Sequence, residues 1–213
     1  MKTIILQICL VLFAGTLFAQ ETKNIVLNPP AKSGGLSVME ALWRRASVRD
    51  FDTTAVRLQD LSDLLWAANG INRPEEGKRT AASALNAQDI DVYVFMKQGV
   101  YLYDAKKHVL NFIASGDHRN LIAGGQVFVT KAPLICLLVS DISRFKAGDD
   151  SSRLVWAAID AGIVSQNIAL FCASKGLVAR PRASMEQQKL KELLKLKDSQ
   201  HLLLNNPVSY RKK

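Results

Sequence analysis

Apolar positions along the chain follow two rhythms, a helical period of 3.6 residues and the alternating or continuous runs of strands. Residues 58–69 place Leu61, Leu64, Leu65 and Ala68 on one side and stop at Gly70, which predicts an amphipathic helix. Ser37-Val38-Met39-Glu40 is a capping-box pattern and predicts a helix from Ser37 to about Arg45. Asp91 to Met96 reads as a strand; Gln98-Gly99 turns it into Val100 to Tyr103, and Val109 to Ile113 follows. Pro133 precedes the almost wholly apolar run Leu134 to Val139, the pattern of a strand buried on both faces. Leu177-Val178 is a short strand, residues 184–196 a charged amphipathic helix capped by Ser184, and Leu202 to Leu204 a last strand. Helices and strands mix without βαβ alternation, so the expected class is α+β.

One element stands apart. Residues 152–175 predict a single long helix with Trp156, Ile159, Ile163, Val164, Ile168, Leu170 and Phe171 on nearly every side. A helix that is apolar all round has to be buried all round. It is either the central core helix of a monomer or, as expected here, part of a homodimer interface, with Ala157, Ala158, Ala161 and Gly162 allowing close approach.

The amino end has its own logic. Lys2, the apolar run 4–14 and Ala19 before a polar stretch form the pattern of a secretory signal peptide at 1–19, giving a periplasmic or secreted protein. The run is short for a membrane anchor, so no stable membrane span is expected. Residues 20–35, with Asn28-Pro29-Pro30 and Ser33-Gly34-Gly35, read as an extended, weakly ordered arm. The domain proper is expected over 36–213.

Charge changes the picture only in part. Twenty-eight Lys and Arg against 19 Asp and Glu give a formal charge of +9. That could serve nucleic acid, a membrane surface, an anionic cofactor or solubility. Export argues against nucleic acid, and few aromatic residues interleave with the cations. Three His lack zinc spacing, so no metal site is expected; Cys136 and Cys172 sit inside apolar runs as buried small hydrophobes. No G-x-S-x-G, Walker, G-x-G-x-x-G or H-E-x-x-H pattern occurs, and no side chain is assigned a catalytic role.

Four segments carry candidate chemistry. Arg45, Ser47 and Arg49 alternate, so an extended chain puts two guanidinium groups and a hydroxyl on one side, fit for a phosphate; the same cations could instead complement the helix terminus. Ser83-Ala84-Leu85-Asn86-Ala87-Gln88 is a small-residue loop able to approach a planar ligand. Arg180 to Ser184 lies between a strand and a helix, and the tail from Pro207 to Lys213, ending in the basic run Arg211-Lys212-Lys213, is by itself no more than a frayed terminus.

In this order, Arg-x-Ser-x-Arg-x-Phe, Ser-Ala-x-Asn-x-Gln, Asp160-Ala161-Gly162 with Gln166-Asn167, Gly176-Leu177 and a closing Pro-Val-x-Tyr resemble the FMN-dependent nitroreductase family over about residues 36–213. The stretch Tyr101 to Asp104 further resembles the branch related to azoline dehydrogenases. The resemblance implies a nitroreductase-like α+β flavoprotein with a central, mostly antiparallel sheet flanked by helices. It implies a homodimer with FMN at the interface, and ping-pong hydride transfer between a small-molecule donor and a nitroaromatic, quinone or similar acceptor. Arg45, Ser47 and Arg49 would hold phosphate, ribityl chain and ring edge. Ser83 and Asn86 would reach the ring, the Arg182-Ala183 turn would offer a backbone N–H near flavin N5, and Arg211 to Lys213 would close on the phosphate. The chain departs from the family in Leu85 for a common glycine, Asp89 for proline and Ser209 for glycine. A flavin-binding or scavenging protein without turnover is the alternative reading.

Overall fold

A computed structural model of the chain describes residues 23–212; the signal peptide expected at 1–19 and the candidate Lys213 lie outside the described residues. The strands are β1 (Ile25–Val26), β2 (Ile71–Arg73), β3 (Lys78–Arg79), β4 (Ile90–Met96), β5 (Gly99–Asp104), β6 (Val109–Ser115), β7 (Leu134–Asp141), β8 (Leu177–Ala179) and β9 (Gln200–Tyr210). The helices are α1 (Val38–Arg44), α2 (Leu58–Asn69), α3 (Arg119–Ala123), α4 (Asp150–Ser174) and α5 (Gln187–Leu194). Seven strands form one sheet in the order β1-β6-β5-β4-β7-β9-β8, antiparallel at every pairing, while β2 and β3 make a small ladder of their own.

The sheet is a middle layer. β7 is buried from Leu134 to Ser140, and its side chains alternate between two cores. Leu134, Cys136 and Leu138 pack with Leu64 and Leu65 of α2 and with Ala161, Val164 and Ile168 of α4. Ile135, Leu137 and Val139 pack with Ile122 of α3 and Leu190 and Leu194 of α5. This sandwiching is why β7 shows no alternation of apolar and polar residues. Cys136 and Cys172 are both free and buried, as expected.

Helix α4 begins where Asp149 accepts a hydrogen bond from the Ser152 N–H. By length and composition it could cross a membrane, yet its inner side is packed on the sheet. Its outer side stays exposed in the single chain, with Leu154, Val155 and Ile159 at 38, 59 and 57%. Next to it α1 exposes Val38, Met39, Leu42 and Trp43, the last at 87%.

Several expectations need correction. The arm at 20–35 is not weakly ordered where it is described: β1 pairs with β6, Leu27 is buried, and Asn28 and Ala31 donate backbone N–H groups to Ser62 and Asp63 of α2. The capping box is half made, because Ser37 accepts from the Glu40 N–H while the Glu40 carboxylate turns to Arg44. The late helix starts at Gln187 rather than Ser184, since Arg182 is paired backbone to backbone with Asn205 and keeps that stretch extended. The final strand runs on from Leu204 to Tyr210 and absorbs most of the tail expected to fray. The β2–β3 ladder and α3 were not foreseen; each is too short to show a period.

Candidate functional site

The basic segment after α1 turns extended at Arg45, whose φ and ψ are −60° and 124°. Ser47 then pairs in parallel with Ala179, so the segment lies along the free edge of β8. Arg45, Ser47 and Arg49 are all exposed there, and so are Arg44, Ala46 and Asp50. The tail comes to the same place. The Arg211 N–H donates to the Gly176 carbonyl at 3.0 Å, and Lys212 pairs with Asp50 at 3.1 Å. A groove of about 550 Å³ opens between Trp43, Arg44, Ser174, Gly176 and Arg211. The cations of this groove are Arg44 and Arg211, beside the C-terminal end of α4, whose carbonyls add a partial negative charge that attracts them; Arg45, Ser47 and Arg49 are outside its lining, on the far edge of β8.

Two residues just before Arg211 tie the end of the chain down. Ser209 Oγ accepts from the Asp52 N–H at 3.1 Å and donates to the Tyr210 carbonyl. The Tyr210 hydroxyl donates to Asp60 at 2.6 Å and accepts from the Arg57 N–H at 3.0 Å. Burial works to raise the Asp60 carboxyl, but the bonds from Arg57 and Tyr210 outweigh it and hold the group below the ordinary carboxylate range.

The loop from Ser83 to Gln88 is built differently. Leu85, Asn86 and Gln88 all take left-handed backbone angles, with φ of 54°, 51° and 49°. Such residues cost roughly 1–3 kcal/mol each and persist only when their surroundings insist. Here the Ala84 N–H donates to both carboxylate oxygens of Asp160, at 2.9 and 3.1 Å. The Gln88 N–H donates to Ser83 Oγ, Arg79 donates to the Gln88 side chain, and Arg144 donates to the Gln88 carbonyl. Leu85, 60% exposed, and Asn86 are left facing out. Ser83 keeps only its own hydroxyl proton to give.

At the third segment the structure separates the two candidates. The Arg182 N–H is used by the Asn205 carbonyl, and its guanidinium, 7% exposed, donates to Asn205 Oδ1 and the carbonyls of Ile122 and Ala123. Arg182 therefore ties α3 to β9, and its backbone N–H is already taken. Ala183 is exposed, and its N–H has no acceptor among the described residues.

Beneath the loop lies a feature the sequence reading passed over. Asp89 and Asp160 are 0 and 2% exposed and face one another. Burial, and then the neighbouring Asp89, raise the Asp160 carboxyl to about 7. A signal existed: Asp160 is the sole charged residue between Arg153 and Lys175 in an otherwise apolar helix, where an acid is costly unless partnered.

Together, a fully antiparallel sheet between helical layers, a cation cluster and an outward loop define an α+β ligand-binding fold suited to an anionic, planar group. The family model for the Nitroreductase family matches residues 42–210. The chain belongs to the nitroreductase family, whose members typically use flavin cofactors, and it is an oxidoreductase. It is 28% identical over 180 residues to a nitroreductase candidate of Methanocaldococcus jannaschii, covering 79% of this chain and 89% of that protein. A crystal structure of a nitroreductase candidate from Ralstonia eutropha JMP134 superposes with a TM-score of 0.84 at 35% identity, over 92% of each chain. A nitroreductase family protein of Clostridium novyi NT shares the fold at 20% identity, with a TM-score of 0.59 over 84% of this chain and 87% of that one. These likenesses are to the family and assign no branch within it.

Proposed function

We propose that this chain is an exported FMN-dependent oxidoreductase that works as a homodimer, passing hydride in ping-pong fashion to a nitroaromatic, quinone or similar acceptor. The observation that supports the reading is that the segment holding Arg45, Ser47 and Arg49 and the start of the tail at Arg211 both run beside β8. A dianionic phosphate asks for several donors within reach, and Arg45, Arg49 and Arg211 pair with no acid among the described residues. These residues, with Lys213 by continuity, would hold the phosphate end of FMN. Asn86, the Ser83 hydroxyl proton and the Ala183 N–H would serve the ring. Bound FMN would supply the hydride-accepting and hydride-donating centre, and the protein would supply position and electrostatics.

Distance and exposure support the homodimer. The loop is tied to Asp160, whereas the stretch just before α1 is tied at Leu36 to Ser174, about 21 Å further along α4 at 1.5 Å per residue. A second copy, docked on the exposed apolar faces of α1 and α4, could bring its own loop to the first chain's cations. Export is supported by the signal-peptide pattern at 1–19. Outside the cytoplasm NAD(P)H is not freely available, so the donor is of another kind or the substrate itself is oxidised.

The purified protein is expected to show the absorption of an oxidised flavin and to reduce a nitroaromatic in steady state when a donor is supplied. A colourless protein that takes up no FMN would overturn the reading. FMN held tightly with no donor accepted would favour the scavenging alternative.

A further inference from the structure

The strained loop rests on a pair of buried acids whose hydrogen bonds can be counted. Asp160 accepts the Ala84 N–H through both oxygens, and Asp89 Oδ2 accepts the Ser140 hydroxyl at 2.5 Å. Asp89 Oδ1 is buried and has no donor among the described residues. Asp160 is the neighbour that interacts with Asp89 side chain to side chain. Two bare carboxylates cannot bond to each other, because each only accepts. One proton on Asp160, given to Asp89 Oδ1, satisfies the orphaned oxygen and still leaves Asp160 accepting from Ala84.

We propose that Asp160 and Asp89 share a single proton and form a pH-released clamp that positions the Ser83–Gln88 loop, and Asn86 with it, for the flavin ring. The proposal rests on the FMN reading above and adds its regulation. The loss of that proton places two like charges in a site closed to water, where repulsion is strong. The backbone of Asp160 is fixed on α4, and Asp89 is fixed by the Asp141 N–H, which donates to its carbonyl at 2.9 Å. The Ala84 N–H favours a charged Asp160 and opposes release, but burial and the facing Asp89 outweigh it, so the part that yields is the Asp160 side chain, which turns away from Asp89 and from Ala84 together. Without the bond to Ala84, the left-handed residues of the loop relax toward ordinary angles and Asn86 leaves the ring. The clamp holds below neutrality and opens above it.

Other charged groups bear on the pair from each side. Arg144 donates to the Gln88 and Asp89 carbonyls and pairs with Asp91, and it is the cation that acts on Asp89. Asp141 stands at the end of β7 near Arg144, and Arg79 reaches the loop through Gln88. His201 lies opposite Ser140 in the β7–β9 register, with a buried Nε2 that has no partner among the described residues. It is the other ionisable side chain beside Ser140, and a variant must separate it from the pair.

Hydrogen–deuterium exchange over residues 83–89, corrected for intrinsic rates, does so without any flavin. Between about pH 5.5 and about pH 8.5 the wild-type loop is expected to lose at least roughly tenfold in protection, the equivalent of one pKa unit. Asp160→Asn mimics the protonated partner, since its amide can donate to Asp89 and its carbonyl accept from Ala84; its loop should stay protected at all pH values. His201→Gln should keep the wild-type profile. If Asp160→Asn does not fold, Asp89→Asn, which removes the like charge from the other side, must also give a flat profile. A flat wild-type profile, or loss of the pH dependence in His201→Gln, overturns the proposal. FMN titrations at the two pH extremes are read separately: weaker binding at the alkaline end in wild type alone supports the clamp, and equal affinity at both ends overturns its link to the cofactor. No FMN binding at either pH sinks the cofactor reading while leaving the exchange result to judge the clamp.

Discussion

The middle and the C-terminal end of α4 carry opposite solutions to placing charge. At the C-terminal end, cations are exposed and held by a scaffold whose own polar groups are already satisfied. At the middle, acids are buried, repel one another and hold a loop in angles it would not choose. The first arrangement is ready for an anion and indifferent to mild pH. The second is conditional on one proton. A protein that binds a single cofactor through both would have one constant and one adjustable grip.

The largest expected effect breaks the constant grip. Arg45→Ala combined with Arg49→Ala removes two charged donors, each worth about 1.5–3 kcal/mol, so FMN affinity should fall by roughly a hundredfold or more. Flavin absorbance of the purified variant reads this directly; undiminished occupancy would show that these arginines do not hold the phosphate. Next in size is the exposed apolar face on which the proposed homodimer would form. Val155→Glu with Ile159→Glu puts charge on the exposed face of α4 and should convert a dimer to a monomer by light scattering. A wild-type monomer would refute the shared site.

The pH dependence of stability follows from the direction of the Asp160 shift. Its carboxyl is raised from 3.8 to about 7, so the folded chain keeps a proton that the unfolded chain releases. That contribution is complete below about pH 3.8 and is lost as pH rises through about 7, so the wild-type Tm should decline across this window on its account. Asp160→Asn should flatten that part of the decline, leaving the share due to Asp91, which burial also raises. Asp60 and Asp117, held low by their partners, act in the opposite sense and only at lower pH. The smallest effect sharpens the strain argument. Leu85→Gly removes a side chain from a left-handed position and should raise stability by about 1 kcal/mol, visible as a shift of a few degrees in Tm. A drop would mean that the exposed Leu85 side chain is held by contacts worth more than its backbone strain.

What could be read from the chain in advance follows the same division. The long periodic helices at 58–69 and 150–174 and the buried run of β7 announced themselves, because burial imposes its pattern on many consecutive residues. Arg45, Ser47 and Arg49 were legible as exposed groups of an extended segment, although Arg44, Ala46 and Asp50 are exposed as well. The Asp89–Asp160 pair was not, because its meaning depends on a loop and a helix far apart in sequence being brought face to face. The use of the Arg182 N–H was hidden for the same reason: nothing local reveals its bridge to Asn205. The last strand was underestimated because its polar residues, Asn205, Asn206 and Ser209, are buried and answered from other elements, apart from an Asn206 Nδ2 that has no partner among the described residues.

The hydroxyls of Ser209 and Tyr210 have a thermodynamic consequence for the segment they hold. By bonding Asp52, Arg57 and Asp60, they sew the end of the chain to the stretch that follows Arg49, so that the cations beside β8 and those of the tail share one scaffold before any ligand arrives. A site assembled in advance loses little conformational freedom on binding, and more of its electrostatic attraction is left as affinity. Shortening the chain by a handful of residues at its carboxyl end would therefore be felt at its amino-terminal third, as a loosening of a grip whose own residues were untouched.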